Sequence, residues 1–206
     1  MPNRAEMKRL ILASASRTRH HMLQAAGLAF LVIPSTVDEA ALRDELRKKN
    51  ASISPKRIAT ELARAKALQV SRENPEAMVI GSDQVLAFGG ETISKPENVE
   101  AARAALERMR GQKHQLHSAV ALAEGGKILW NAVDTAHLTM REFSPQFLDE
   151  YLVRGGADIC YSAGAYQIEA LGIQLFDKVA GNHFTILGLP LMALLAELRA
   201  RKVITA

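Results

Sequence analysis

An α/β fold is what this sequence predicts, on three observations. A short apolar run, Leu10-Ile11-Leu12-Ala13, passes through Ser14-Ala15-Ser16 straight into a helical stretch that stops at Gly27. Residues 54–72 carry an apolar stripe at Ile58, Leu62, Ala65 and Leu68, the spacing of one helix face. Residues 77–88 and 115–137 are apolar, strand-like runs interrupted by Gly-containing turns.

The bulk properties set the class. The chain has 206 residues, 48% of them hydrophobic, enough for a sizeable core. Residues 1–206 read as one domain of two closely joined lobes, with no linker, repeat or low-complexity tract. A single cysteine, Cys160, allows no internal disulfide and points to a reducing compartment, the cytoplasm. No apolar run approaches the roughly 20 residues that span a bilayer. The opening Arg4, Lys8 and Arg9 lead into an apolar run too short for a signal peptide, so residues 8–13 read as a first strand. The net charge of +4 suits a polyanionic ligand. Scattered basic residues and 5% aromatics argue against a dedicated nucleic-acid surface.

Taken in order, Ser16 reads as the N-cap of the first helix and residues 30–34 as a second strand. Residues 40–49 form a charged helix, and Ser54-Pro55 opens the next. Residues 77–81 and 85–88 read as two strands either side of Gly81-Ser82-Asp83-Gln84, with Gly89-Gly90 as a hairpin turn. Asn98 caps a helix running to about Met109, and residues 115–123 and 127–137 make a long hairpin. Ser144-Pro145 starts a helix that ends near Gly155-Gly156. Residues 160–172 are a Gly/Ala-rich loop, residues 173–179 a strand, residues 181–185 a turn, and Gly188-Leu189-Pro190 opens the last helix. The tail to Ala206 reads as a frayed end.

Several residues stand out chemically. Ser14, Ser16 and Arg19 lie where a strand turns into a helix, and free N–H groups and the helix dipole at such a junction favour an anion. The same residues equally make an ordinary strand–helix connection. Asp38 and Glu39 offer oxygens to a hard cation or start a helix at its positive end. Lys66 reads locally as a solvated helical lysine that could reach a phosphate. Lys95 precedes Pro96, which holds it on an extended segment. Asp83 by itself reads as a turn aspartate. Set beside an anion site, an acidic loop and a positioned lysine, it becomes the candidate for chemistry.

Together these stretches resemble the Maf family of nucleoside triphosphate pyrophosphatases. The resemblance rests on Leu12-Ala13-Ser14-Ala15-Ser16-Arg17-Thr18-Arg19, Val37-Asp38-Glu39 and Ala63-Arg64-Ala65-Lys66-Ala67. It continues through Gly81-Ser82-Asp83-Gln84-Val85, Ser94-Lys95-Pro96, residues 163–168 and Gly188-Leu189-Pro190-Leu191. It implies an elongated, curved mixed sheet with flanking helices and two lobes around a cleft, and homodimers in many members. It implies hydrolysis of a nucleoside triphosphate between the α- and β-phosphates, with Mg²⁺ or Mn²⁺. Asp83 is then the group that activates water and, with Glu39, holds the metal. Ser14, Ser16, Arg19, Lys66 and Lys95 are the residues on the phosphates. No membrane or stable nucleic-acid partner is expected.

The family resemblance also bears on the base. Ser82-Asp83-Gln84 together with Glu169 resembles the branch acting on 7-methyl-GTP. A carboxylate can accept from both N1–H and the N2 amine of a guanine, which uracil and thymine do not offer. Gln84, Glu169 and Thr18 are the specificity positions, Thr18 standing where that branch often carries an aromatic residue. Arg17 and Ser94 also depart from the family pattern, and Gln167 is a feature of the dTTP/UTP branch. The alternatives are a dTTP/UTP pyrophosphatase, or a non-enzymatic nucleotide- or nucleic-acid-binding regulator of cell division. No Gly-x-x-x-x-Gly-Lys-Ser/Thr motif is present, which argues against a P-loop enzyme.

Overall fold

A mixed seven-stranded sheet runs through the chain in the order β2-β1-β3-β5-β6-β7, with β4 paired to the far end of β3. The structure is a computed structural model and describes residues 8–205; Arg4 and Ala206 lie outside the described residues. The strands are β1 (Leu10–Leu12), β2 (Leu31–Val32), β3 (Met78–Phe88), β4 (Glu91–Ile93), β5 (Lys113–Glu124), β6 (Lys127–Met140) and β7 (Phe176–Ala180). Strand β1 is parallel to β2 and β3, while the neighbouring pairs β3–β5, β5–β6 and β6–β7 are antiparallel. The helices are α1 (Arg17–Ala25), α2 (Glu39–Lys49), α3 (Pro55–Glu73), α4 (Val99–Met109), α5 (Pro145–Gly155), α6 (His183–Ile186) and α7 (Leu191–Ala200). None is long and apolar enough to cross a membrane.

The main departure from the sequence reading is β3. Residues 77–81 and 85–88 are not two strands around a turn, because Ser82, Asp83 and Gln84 lie inside one 11-residue strand. The ladder with β5 continues unbroken from Val79–Ala123 to Ala87–Gln115, with Asp83 opposite Ala119. A continuous partner strand overrides the turn preference of Gly, Ser and Asp. Other differences are smaller. Strand β2 covers only Leu31–Val32 at the sheet edge, and residues 173–175 belong to a 3₁₀ turn, Leu171–Leu175, that precedes β7. The expected turn after Gly181 is the short helix α6, capped by Asn182. Residues 201–205 are not a frayed end. Val203 is buried and bonds back through its N–H to the Leu198 carbonyl.

The alternation of β3 decides what faces what. On one face, Ile80 joins Leu12, Leu23, Leu122 and Leu194 in one core, while Leu86 joins Leu106, Leu116, Leu138 and Leu148 in another. Between these two cores lies a polar seam of Ser82, Gln84 and Ser118. Ser82 Oγ donates to the Ala119 and Gly188 carbonyls. Gln84 Nε2 donates to Ser118 Oγ and to the Thr185 and Ile186 carbonyls.

The opposite face, carrying Gly81, Asp83 and Val85, is covered by α3. This helix begins with Ser54 as N-cap and Pro55 in the first turn, and buries Ile58, Leu62, Ala63 and Ala67. The alanines and Gly81 let the helix sit very close to the strand. A Cβ on Gly81 would meet the Ala63 carbonyl oxygen and lie 2.6 Å from the Ala67 amide nitrogen, both backbone atoms. Gly81→Ala is therefore expected to destabilise the fold by about 3 kcal/mol, the upper part of the range for forced overpacking. Urea denaturation measures this, and a loss below about 0.5 kcal/mol would show that α3 retreats without cost.

Candidate active site

The site sits where the sheet has a gap. Strand β1 ends at Leu12, and the last bond on that side of β3 is Ala13 N–H to the Ile80 carbonyl at 2.8 Å. Strand β4 resumes pairing only at Leu86. Between them, Gly81–Val85 has, among the described residues, a strand neighbour, β5, on one side alone. An unpaired strand edge needs another donor, and Arg19 supplies it. Its Nη1 donates to the Ser82 carbonyl at 3.0 Å and to Ser14 Oγ at 3.1 Å, and its Nε donates to the Gly188 carbonyl at 2.9 Å.

One guanidinium therefore joins the β1–α1 turn, the open edge of β3 and the α6–α7 loop. Ser16 caps α1 by accepting from the Arg19 N–H at 3.3 Å, which fixes the first turn from which Arg19 reaches back. The oxygens of Ser14 and Ser16 both accept in these bonds, so their hydroxyl protons remain able to donate. Burial pushes the Arg19 pKa below the ordinary arginine value, opposed by the charges of Asp83 and Glu39.

Asp83 projects toward α3, as the register of β3 requires. Its side chain is 5% exposed. Oδ1 accepts from Lys66 Nζ at 2.7 Å, and the same Nζ lies 2.7 Å from Glu39 Oε1. Lys66, which reads from sequence as a solvated lysine, is thus buried between two carboxylates. Asp83 Oδ2 is buried with no hydrogen-bond partner, and Arg43 Nη2 stands 3.8 Å from it. Arg43 also reaches Glu39 Oε2 at 3.4 Å, while its own buried Nε has no partner.

The two carboxylates are pushed in opposite directions. Burial raises the Asp83 pKa and outweighs the opposing charges of Lys66 and Arg19. Burial also disfavours ionised Glu39, but Lys66, Arg43 and Lys95 together prevail and hold its carboxyl below the usual range.

The remaining candidates are less tightly gathered. Lys95 is exposed in the loop after β4, close enough for its charge to act on Glu39. Gln84 lies on the opposite sheet face from Asp83, with Nε2 held in the polar seam. Thr18 is half-buried on α1, and Glu169 is exposed in the loop after Tyr166. Asp38 caps α2, its Oδ1 accepting from the Ala41 N–H at 2.9 Å. Tyr166 is buried against Phe176 and bonds His114, which withdraws it from base stacking, whereas Tyr161 is 71% exposed. Sequence reasoning missed Arg43. The available signal was its position one turn after Glu39 on the same helix face.

The donor set fits a divalent cation of the magnesium type. Such ions are held by one or two carboxylates and completed by substrate phosphates and water. Asp83 and Glu39 supply two hard oxygens side by side, and Asp83 Oδ2 accepts no hydrogen bond among the described residues. Among the described residues, no group of three or more His, Cys, Asp or Glu gathers for metal binding.

Lys66→Met would leave a buried carboxylate without its hydrogen-bond donor, at an expected cost of about 3 kcal/mol near neutral pH. Without Lys66, the folded-state pKa of both Asp83 and Glu39 moves up. The added penalty is complete above those folded values and fades as pH falls through them. Urea titrations of both proteins in EDTA should therefore show the gap narrowing from neutral to acidic pH. A gap that is constant or widens toward acid would contradict this electrostatic account.

The Maf-like protein family model matches residues 9–201. A 7-methyl-GTP pyrophosphatase of Brucella suis is 48% identical over 196 residues, 95% of this chain and 98% of that protein. Another 7-methyl-GTP pyrophosphatase, from Mesorhizobium japonicum, is 47% identical over 192 residues, 93% and 96% of the two chains. A nucleoside triphosphate pyrophosphatase of Granulibacter bethesdensis is 44% identical over 197 residues, 96% and 99%. The solved structure of a HAM1 protein from Coxiella burnetii overlaps with a TM-score of 0.40 and 14% identity, covering 65% of this chain and 73% of that one. With the family model and these relatives matching over nearly its whole length, this chain belongs to the Maf family.

Proposed function

We propose that this protein is a nucleoside triphosphate pyrophosphatase, hydrolysing its substrate between the α- and β-phosphates to a nucleoside monophosphate and pyrophosphate. The observation that carries the reading is the state of Asp83. One oxygen is fixed by Lys66 and the other is buried, without a hydrogen-bond partner and on a carboxylate of raised pKa. Such a group is suited to accept a proton from an attacking water. The names of the Brucella, Mesorhizobium and Granulibacter relatives support the same reaction.

In this reading, the triphosphate lies across the open edge of β3. The hydroxyls of Ser14 and Ser16 and the free end of Arg19 face its oxygens, with Lys95 approaching from the loop after β4. Arg43 swings from Glu39 onto the phosphates and uncovers Asp83 Oδ2. Water attacks the α-phosphorus, its proton passes to Oδ2, and the bond from the α-phosphorus to the bridging oxygen breaks, releasing pyrophosphate. Glu39, held ionised, keeps Lys66 in place and with Asp83 would hold Mg²⁺ or Mn²⁺. When bound, that ion neutralises phosphate charge and lowers the pKa of water.

The base preferred is 7-methylguanine. Glu169 is an exposed carboxylate in a loop beside the distal core, free to accept from a guanine edge. Two of the relatives described above are named for 7-methyl-GTP.

Pyrophosphate release with Mg²⁺ or Mn²⁺ across 7-methyl-GTP, GTP, UTP and dTTP is the decisive measurement. Asp83→Asn should lose at least about 100-fold in turnover, in the range of a lost general base, while keeping a cooperative unfolding transition. Near-normal release by that variant would end the proposed mechanism. Glu169→Gln should lower kcat/KM for 7-methyl-GTP about tenfold or more and leave UTP and dTTP nearly unchanged. Preference of the wild type for UTP would overturn the base reading alone.

A further inference from the structure

Beyond the carboxylates, the same face of the sheet opens into a cavity of about 740 Å³, between the N-terminus of α3 and strands β5, β6 and β7. That volume falls within the range of small-molecule sites. Its chemistry is one-signed. Among the described residues, Lys56, Lys113, His117, His137 and Lys178 line it, and no aspartate or glutamate does. The chain as a whole carries 26 Lys and Arg against 22 Asp and Glu, so this separation of charge is local.

The strand register explains the convergence. Lys113 pairs with Thr139, and Thr139 with Lys178. In the next row, Gln115 pairs with His137, and His137 with Ala180. The two lysines thus flank Thr139 on one face, about 10 Å apart at two strand spacings. Lys56 arrives from the first turn of α3, whose dipole adds positive potential at that end. His117 sits below them, buried, and its pKa is depressed by burial and then by the charges of Lys56 and His137. Among the described residues, Lys56, Lys113 and Lys178 form no salt bridge, although many other lysines and arginines of the chain do. Like charges held together without counter-charges repel, and a bound anion relieves that repulsion.

We infer that this cavity is a second anion site, for a small polyphosphorylated molecule, separate from the reaction centre. Asp83, Val85 and Ala87 alternate along one face of β3, so the cavity floor at Ala87 begins about 13 Å from Asp83. The inference does not depend on the pyrophosphatase reading, because binding is measurable without turnover.

The test uses the metal-free protein titrated with inorganic pyrophosphate while the six histidine side chains are followed by NMR, with His117 and His137 assigned through His117→Gln and His137→Gln. Saturable movement of those two resonances is expected. In Lys56→Gln/Lys113→Gln/Lys178→Gln, three exposed substitutions, the apparent Kd from any residual movement should weaken at least about tenfold. Turnover and KM for the nucleoside triphosphate should stay unchanged. Resonances unmoved by millimolar pyrophosphate would overturn the proposal, as would undiminished affinity in the triple variant. A rise in KM for the triphosphate at constant kcat would also overturn it, by making the cavity part of the substrate site.

Discussion

The Lys66 ammonium between Asp83 and Glu39 is the contact on which the arrangement of this site depends. It requires a helix to press unusually close to a strand. Gly81 removes the Cβ that would strike α3, and Ala63 and Ala67 present small side chains on either side of Lys66. It also requires β3 to run straight through Asp83, since a one-residue slip would turn the carboxylate to the other face. The ladder with β5 prevents that slip. Glu39 then reaches Lys66 from α2, whose start is fixed by the Asp38 cap. Helix capping, strand register and a glycine thus converge on one nitrogen atom.

The same strand organises the other side of the site. With β1 ended and β4 not yet begun, the Ser82 carbonyl faces outward with no strand partner, and Arg19 closes the gap. Behind it, Ser82, Gln84 and Ser118 separate two apolar cores that a continuous run of leucines would have merged. Their hydrogen bonds go to the carbonyls of Ala119, Thr185, Ile186 and Gly188, so the seam is satisfied by backbone as well as side chain. Polar groups in such a position are costly unless bonded in this way. Helix α6 and the loop after it are thereby tied to β3 and β5 at several points.

Much of this was legible in the sequence, and what was not has a physical reason. The strand–Ser–helix opening, the caps Ser16, Ser54, Asn98 and Ser144, and the 115–137 hairpin are local signals, and they appear where local chemistry puts them. The interior position of Asp83 was hidden because Gly, Ser and Asp prefer turns, and only the distant partner β5 overrules them. Lys66 looked solvated because helical spacing cannot reveal that an alanine-lined face will meet a glycine. Arg43 is hidden for a similar reason, one basic residue in a charged helix being indistinguishable from its neighbours. The alternation that sends Gln84 away from Asp83 becomes visible only once β3 is known to be continuous.

The opposed shifts of the two carboxylates bear on how the proposed reaction would be organised. Around one ammonium, Asp83 is the carboxylate that more readily takes a proton and Glu39 the one that stays ionised. Pairs pushed apart in this way divide the labour of base and fixed charge. Lys66, Arg43 and Arg19 all place positive charge near the two carboxylates, and a bare divalent cation approaching Asp83 Oδ2 would meet Arg43 at 3.8 Å from that atom. A triphosphate changes the balance, because its oxygens draw Arg43 off Glu39 and Asp83 and bring negative charge to the open edge of β3. On the proposed reading, then, the residues suit a cation that enters on the phosphates rather than ahead of them, and Arg43 serves as the counter-charge of the resting site.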